Sequence, residues 1–126
     1  MKVVPEGAKQ HMTAGPYSPV LEVSNFKKLV LISGQAAVDM DGKVIGNTIE
    51  EQTEATLRNC KMQLEKAGCS LDDVFKVNVF LTDLTEWPRF NAVYARIMPK
   101  PLPVRTAVGV GLLETFKVEI EMWAAV

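Results

Sequence analysis

Arg105 is accompanied along its strand by some of the smallest side chains in the sequence. Residues 104–110 read as a strand. Alternation puts Val104, Thr106, Val108 and Val110 on one face and Arg105, Ala107, Gly109 and Gly111 on the other. A guanidinium with only glycine and alanine beside it has the shape of a small anion pocket: its planar fork offers paired donors, and nothing bulky fills the neighbouring space. The same pattern fits an arginine on a solvated edge strand whose glycines serve twist or a bulge, and the strand alone does not choose. The last strand, residues 116–125, adds carboxylates. Lys117, Glu119, Glu121 and Trp123 share one face; Phe116, Val118, Ile120 and Met122 share the other. Exposed glutamates are the ordinary case, yet a glutamate beside a bound substrate can orient water as a general base.

Other chemistries find little support. The two cysteines, Cys60 and Cys69, are nine residues apart, and the only histidine is His11. A zinc site needs four ligands at closer spacing, so no metal site is expected. The expected state is two reduced thiols on or beside a helix, since nothing marks a secretory context. The formal net charge is −1 and no basic run exceeds Lys27-Lys28, so no nucleic-acid partner is expected. The first residues, MKVVPEGAKQHM, show neither an apolar core nor an Arg-rich stretch of a targeting segment. No apolar run approaches the ~20 residues of a membrane span. A cytoplasmic location is the resulting expectation.

The elements that must position these residues follow from periodicity. With 126 residues, 48% of them hydrophobic, the chain suits one domain over 1–126 that would gain from self-association. Residues 20–23 and 29–32 read as strands, the second apolar on both faces and hence expected to be buried on both. Asp41-Gly42 between Ala36-Ala37-Val38 and Val44-Ile45 predicts a hairpin. Thr48 with Glu51 forms a capping box, and Ile49, Leu57, Cys60, Leu64 and Ala67 lie along one face of the helix it starts, which Gly68 closes. In residues 74–81, alternation assigns Phe75, Val77, Val79 and Leu81 to one face and Lys76 and Asn78 to the other. Asp83 and Glu86 offer a second capping box. Pro88 fits the first turn of the following helix, Phe90, Val93, Tyr94 and Ile97 form its buried stripe, and Pro99 ends it. The short connection over 111–115 predicts that the last two strands pair as an antiparallel hairpin. The order is β-β-β-α-β-α-β-β, an α+β fold with helices on one face of a mixed sheet.

Seven segments in register carry a resemblance. They are Gly15-Pro16-Tyr17-Ser18; Ile32-Ser33-Gly34-Gln35; Glu51-Gln52-Thr53 with Leu57 and Asn59; residues 74–84, VFKVNVFLTDL; Phe90-Asn91-Ala92-Val93-Tyr94; Pro103-Val104-Arg105-Thr106; and Val118-Glu119-Ile120-Glu121. From about residue 13 to the C-terminus the chain resembles the reactive intermediate deaminase (Rid, YjgF-type) family, in its arginine-containing, deaminase-like subgroup. The resemblance implies a chorismate-mutase-like α+β fold assembled as a homotrimer, its sheets forming a central barrel and its active sites lying between subunits. It further implies a cofactor-independent hydrolase acting on 2-imino or enamine acids such as 2-aminoacrylate. Arg105 would bind the substrate carboxylate and Glu119 would position the attacking water. Tyr17, Ser33, Gly34, Asn91 and Ala107 would line the pocket.

Some positions depart from the family pattern. Pro19-Val20 follow Ser18 where Gln-Ala is frequent. Ala107 stands where some members have cysteine. The 98–103 loop is shorter and richer in proline, and Gly111-Leu112-Leu113-Glu114 replaces a run ending in Leu-Pro. The last two changes flank Arg105 and bear on substrate size. Two other readings use the same pocket: a non-catalytic regulator binding a small carboxylate, and a deaminase of a larger enamine of the aminomuconate type. A nuclease reading would need a basic stripe or a metal cluster that the sequence does not offer.

Overall fold

The computed structural model describes residues 1–12 and 14–126; Thr13, where the resemblance begins, lies outside the described residues. The elements are β1 (Lys2–Val3), β2 (Glu22–Val23), β3 (Leu29–Ala36), α1 (Ile49–Lys66), β4 (Val74–Leu81), α2 (Trp87–Ile97), β5 (Val104–Gly109) and β6 (Val118–Ala125). Single 3-10 turns at Leu71–Asp73 and Leu84–Glu86 lead into β4 and α2. The order matches expectation, but its first members differ. β1 was not foreseen and pairs with β2 as a separate ribbon. The expected hairpin at Asp41-Gly42 survives as one bridge between Val38 and Val44, with Gly42 at φ +83°.

α1 forms as its capping box predicts. Thr48 accepts from the Glu51 amide at 3.1 Å, and the Glu51 carboxylate accepts from the amides of Asn47 and Thr48. The helix ends at Gly68, whose φ of +79° suits glycine. Two amides on its buried side then fix the sheet. Asn59 Nδ2 donates to the carbonyls of Ala36 and Val38 at the end of β3. Gln52 donates to the carbonyls of Gly46 and Thr115 and accepts from the Lys117 amide, which sets the entry to β6.

The main sheet has the order β3-β6-β4-β5. β6 runs antiparallel to both β3 and β4, and β5 runs parallel to β4. The expected β5–β6 hairpin is therefore wrong, although the connection is short. The reason lies in side-chain content. β6 presents Val118, Ile120, Met122 and Ala124, all fully buried, and such a strand needs neighbours on both sides. β5, with Arg105, Ala107 and Gly109, has too little apolar surface for the centre and takes the edge that the α2 crossover reaches.

Both helices cover one face. Ile49, Leu57 and Leu64 of α1 and Phe90 and Tyr94 of α2 pack on Val77, Val79, Leu81, Val118, Ile120 and Met122. The other face is open in the single chain. Leu29 and Leu31 are 54% and 64% exposed, so β3 is not buried on both faces: Val30 and Ile32 turn inward while their neighbours turn out at a sheet edge. Phe75 also departs from expectation. A register shift between Val74 and Lys76 gives Val74 the core position, and Phe75 joins Leu29, Leu31 and Trp123 around a shallow depression of about 200 Å³ on the open face.

Candidate active site

The register separates the expected site residues into two groups. Arg105 pairs with Val77 and Ala107 with Val79, and both lie on the helix-covered face. Glu119 pairs with Phe80, one step out of phase with Val79 and Ile120, and therefore faces the open side. Arg105 and Glu119 do not meet within one chain.

The first group is built around a buried arginine. Arg105 is only 9% exposed, which rules out the solvated edge-strand reading of its pattern. Its neighbours are aromatic. The guanidinium carbon lies 4.8 Å from the Tyr94 ring centroid, 4.9 Å from Trp87, 5.2 Å from Tyr17 and 5.7 Å from Phe90. Three of those rings come from α2 at helical spacing, because the β4–α2–β5 crossover lays that helix over the edge strand. Tyr17 arrives from the N-terminal segment. Ser18 ties that segment down, its hydroxyl donating to the Leu102 carbonyl and its amide to the Pro103 carbonyl, just ahead of β5. Gly15 is needed there: a Cβ at this position would sit 3.0 Å from Nη2 of Arg105 and 3.4 Å from Nδ2 of Asn91.

Polar atoms in this group are left without partners. Nη1 and Nη2 of Arg105, Oδ1 of Asn91 and the Tyr94 hydroxyl are buried and form no hydrogen bond among the described residues. Burial draws the Arg105 pKa below its ordinary value, opposed by its interaction with Tyr94 and Tyr17, and burial raises that of Tyr94. Unpaired buried donors are costly, so a fork held this way is a site to which an anion would bring large compensation. The open floor expected beside Arg105 is partly closed: Leu84 fills the space over Gly109, where a Cβ would lie 3.0 Å from its Cγ, while Gly111 faces open space.

The second group joins β3 to β6. The pairing jumps from Ile32–Met122 to Gln35–Ile120, so Ser33 and Gly34 form a bulge where one residue faces them. A Cβ on Gly34 would collide with the Glu119 carboxylate, 3.0 Å from its Cδ, so the backbone of Gly34 lies directly against that acid. Ser33 is exposed beside it. The two β6 glutamates also become distinct. Glu121 accepts from Asn78 Nδ2 at 2.8 Å, whereas the carboxylate of Glu119 has no such partner among the described residues.

Sequence reasoning missed Trp87, and it read Phe90 and Tyr94 as part of a core stripe and of a family motif, not as neighbours of Arg105. Their spacing of i, i+3 and i+7 on α2 is visible in the sequence, but its relation to Arg105 appears only once β5 is known to run parallel to β4 beneath that helix. Cys60 lies within α1 and Cys69 just beyond it, as expected; both thiols are buried, and burial pushes Cys60 up to about 12. No group of three or more His, Cys, Asp or Glu among the described residues is arranged to hold a metal.

The fold belongs to one known class. A family model described as Endoribonuclease L-PSP matches residues 8–126. The chain belongs to that family, the YjgF/Rid family, and has its α+β fold. The protein named mmf2, mitochondrial, of Schizosaccharomyces pombe is 39% identical over 129 residues, covering 99% of each chain. A RutC family protein of Pyrococcus abyssi is 40% identical over 100 residues, covering 79% of this chain and 76% of that one. The crystal structure of RidA from Psychrobacter sp. PAMC 21119 superposes with a TM-score of 0.74 at 34% identity, covering 98% of this chain and 99% of that one. Among the described residues no helix is long and apolar enough to cross a membrane. The family includes a protein named for mitochondria, so membership does not decide between that compartment and the expected cytoplasm.

Proposed function

We propose that this chain is a cofactor-independent deaminase of 2-imino and enamine acids, the arginine-containing type of its family. The observation that carries the reading is the buried Arg105 fork with both terminal nitrogens unpaired. A small carboxylate docks there through two charge-assisted hydrogen bonds. An enamine acid such as 2-aminoacrylate first tautomerises to its imine, already a good electrophile. Docking fixes C2 against a water molecule, which is catalysis by proximity. Glu119 takes a proton from water as the water oxygen bonds to C2 and returns it to the imine nitrogen, giving a carbinolamine. The hydroxyl proton then passes by way of Glu119 to the amino group, the C=O bond forms as the C–N bond breaks, and a 2-oxo acid and ammonia leave. Tyr17 and Asn91 line the arginine side and Ser33 and Gly34 the glutamate side; Ala107 leaves room beside Arg105.

This division of labour requires two copies of the chain, since the two groups occupy opposite faces of one sheet. The homotrimer expected from the resemblance supplies them: Arg105 from one subunit and Glu119 from the next. The exposed apolar residues Leu29, Leu31 and Trp123 on the open face support such an assembly.

The test is ammonia release from an imine generated in situ. Arg105→Ala should lower kcat/KM by roughly 10³-fold while the variant stays folded. Arg105→Lys should fail nearly as badly, because an ammonium has no fork. Wild-type activity in Arg105→Ala would refute the assignment.

A further inference from the structure

Arg105 is buried without an acidic partner, which is unusual for a side chain whose charge is normally paired when it leaves water. It takes part in none of the ion pairs among the described residues. What surrounds the guanidinium is four aromatic rings, with Tyr94 and Trp87 nearest.

We infer that Trp87, Phe90, Tyr94 and Tyr17 form a cage that holds the Arg105 guanidinium by its faces, so that its edge donors stay unspent for a ligand carboxylate. Trp87 and Tyr94 are then positioning residues of the site. The inference rests on the carboxylate-binding reading above and extends it to how the fork is kept available.

The physical basis is the shape of the group. The N–H bonds of a guanidinium lie in its plane, and an aspartate or glutamate partner would occupy them. A ring face attracts the same cation through its quadrupole without taking a hydrogen. The cage therefore offsets part of the burial cost of the charge and leaves Nη1 and Nη2 unpaired, as observed. The rings are ordered by their own packing: Trp87 and Phe90 centroids lie 6.3 Å apart, and Phe90 and Tyr94 centroids 5.7 Å apart. Trp87 opens α2, its position set by the 3-10 turn that Asp83 caps and by Pro88 in the first turn. Among the described residues the Tyr94 hydroxyl has no partner, so it is the ring of Tyr94 and not its oxygen that serves the cage.

Trp87 is half-buried and Tyr94 fully buried, so Trp87 is the safer residue to change. Pyruvate, a 2-oxo acid of the product class, is titrated calorimetrically into wild type, Trp87→Leu, Trp87→Phe, Tyr94→Phe and Arg105→Ala, and imine turnover is measured on the same samples. Trp87→Leu should weaken pyruvate binding about tenfold. Its KM should rise in step, with kcat within about twofold of wild type, the pattern of lost uniform binding. Trp87→Phe and Tyr94→Phe keep a ring and should stay within about threefold of wild-type affinity. Wild-type affinity in Trp87→Leu overturns the cage. So does a fall in its kcat at unchanged KM, which is what loss of folded protein would give. Phenylalanine variants as weak as Trp87→Leu, or an Arg105→Ala that binds pyruvate normally, overturn it too. Failure of the deaminase reading is seen separately, as pyruvate binding by a wild-type protein that releases no ammonia; the affinities still judge the cage.

Discussion

The Arg105 side and the Glu119 side of the sheet differ in what completes them. Arg105 is enclosed by its own chain: rings from α2, a strap held by Ser18, and the backbone of Gly15 packed against its fork. Glu119 lies on the face opposite the helices, positioned by a bulge in β3 and bordered by exposed apolar residues. An anion site can be finished inside one subunit because it needs only a held charge. In the proposed mechanism, a water-aligning carboxylate gains from lying at an interface, where a second subunit can bring the substrate to it.

Substitutions on the two faces should therefore fail differently. After loss of the arginine, the largest effect expected is from Glu119→Gln: roughly 10²-fold in kcat with KM little changed, measured by steady-state ammonia release. An equal loss in KM would mean that Glu119 binds substrate instead of aligning water. Gly34→Ala comes next. Its new Cβ must displace the Glu119 carboxylate, so kcat should drop about tenfold. Calorimetric binding of pyruvate, which reports the Arg105 side, should stay unchanged; weakened binding would show the two faces to be coupled within a chain. The smallest effect belongs to a site outside both groups. Thr48→Ala removes the α1 cap and should cost about 1 kcal/mol of stability in a denaturant melt without altering KM.

The same cap gives a pH signature. The Glu51 carboxylate is held below its ordinary pKa by hydrogen bonds, first from the Asn47 amide and then from Thr48. A folded pKa lower than the unfolded one stabilises the protein fully above the ordinary carboxylate range, and that contribution disappears as pH falls through the folded value. Glu51→Gln should flatten the acid limb of the stability profile.

Local rules recovered the local structure. The capping box of α1, the left-handed turn at Gly68 and the alternation of β6 are each encoded within a few residues, and each appears as read. Errors arose where distant residues decide. β5 and β6 are joined by a short loop, yet β6 leaves β5 for the centre of the sheet because its apolar face needs two neighbours. Phe75 changed faces through a bulge that only pairing with β6 reveals. The candidate site divides the same way. Arg105 and Glu119 were picked out from their strands and the family motifs, with Tyr17, Ser33, Gly34 and Asn91 carried by the motifs. The aromatic rings around the arginine, and the placement of the two charged residues on opposite faces, follow from topology that no short segment contains.

The central claim is that one substrate is served by Arg105 of one subunit and Glu119 of another. Subunit mixing tests it directly. Arg105→Ala and Glu119→Gln chains, each nearly inactive alone, are unfolded together, refolded at equal amounts and assayed for ammonia release. If sites form between subunits, random assembly pairs an intact arginine with an intact glutamate in about a quarter of them, and about a quarter of wild-type activity should return. Activity no higher than that of either variant alone, from mixtures shown to have exchanged subunits, would contradict the account.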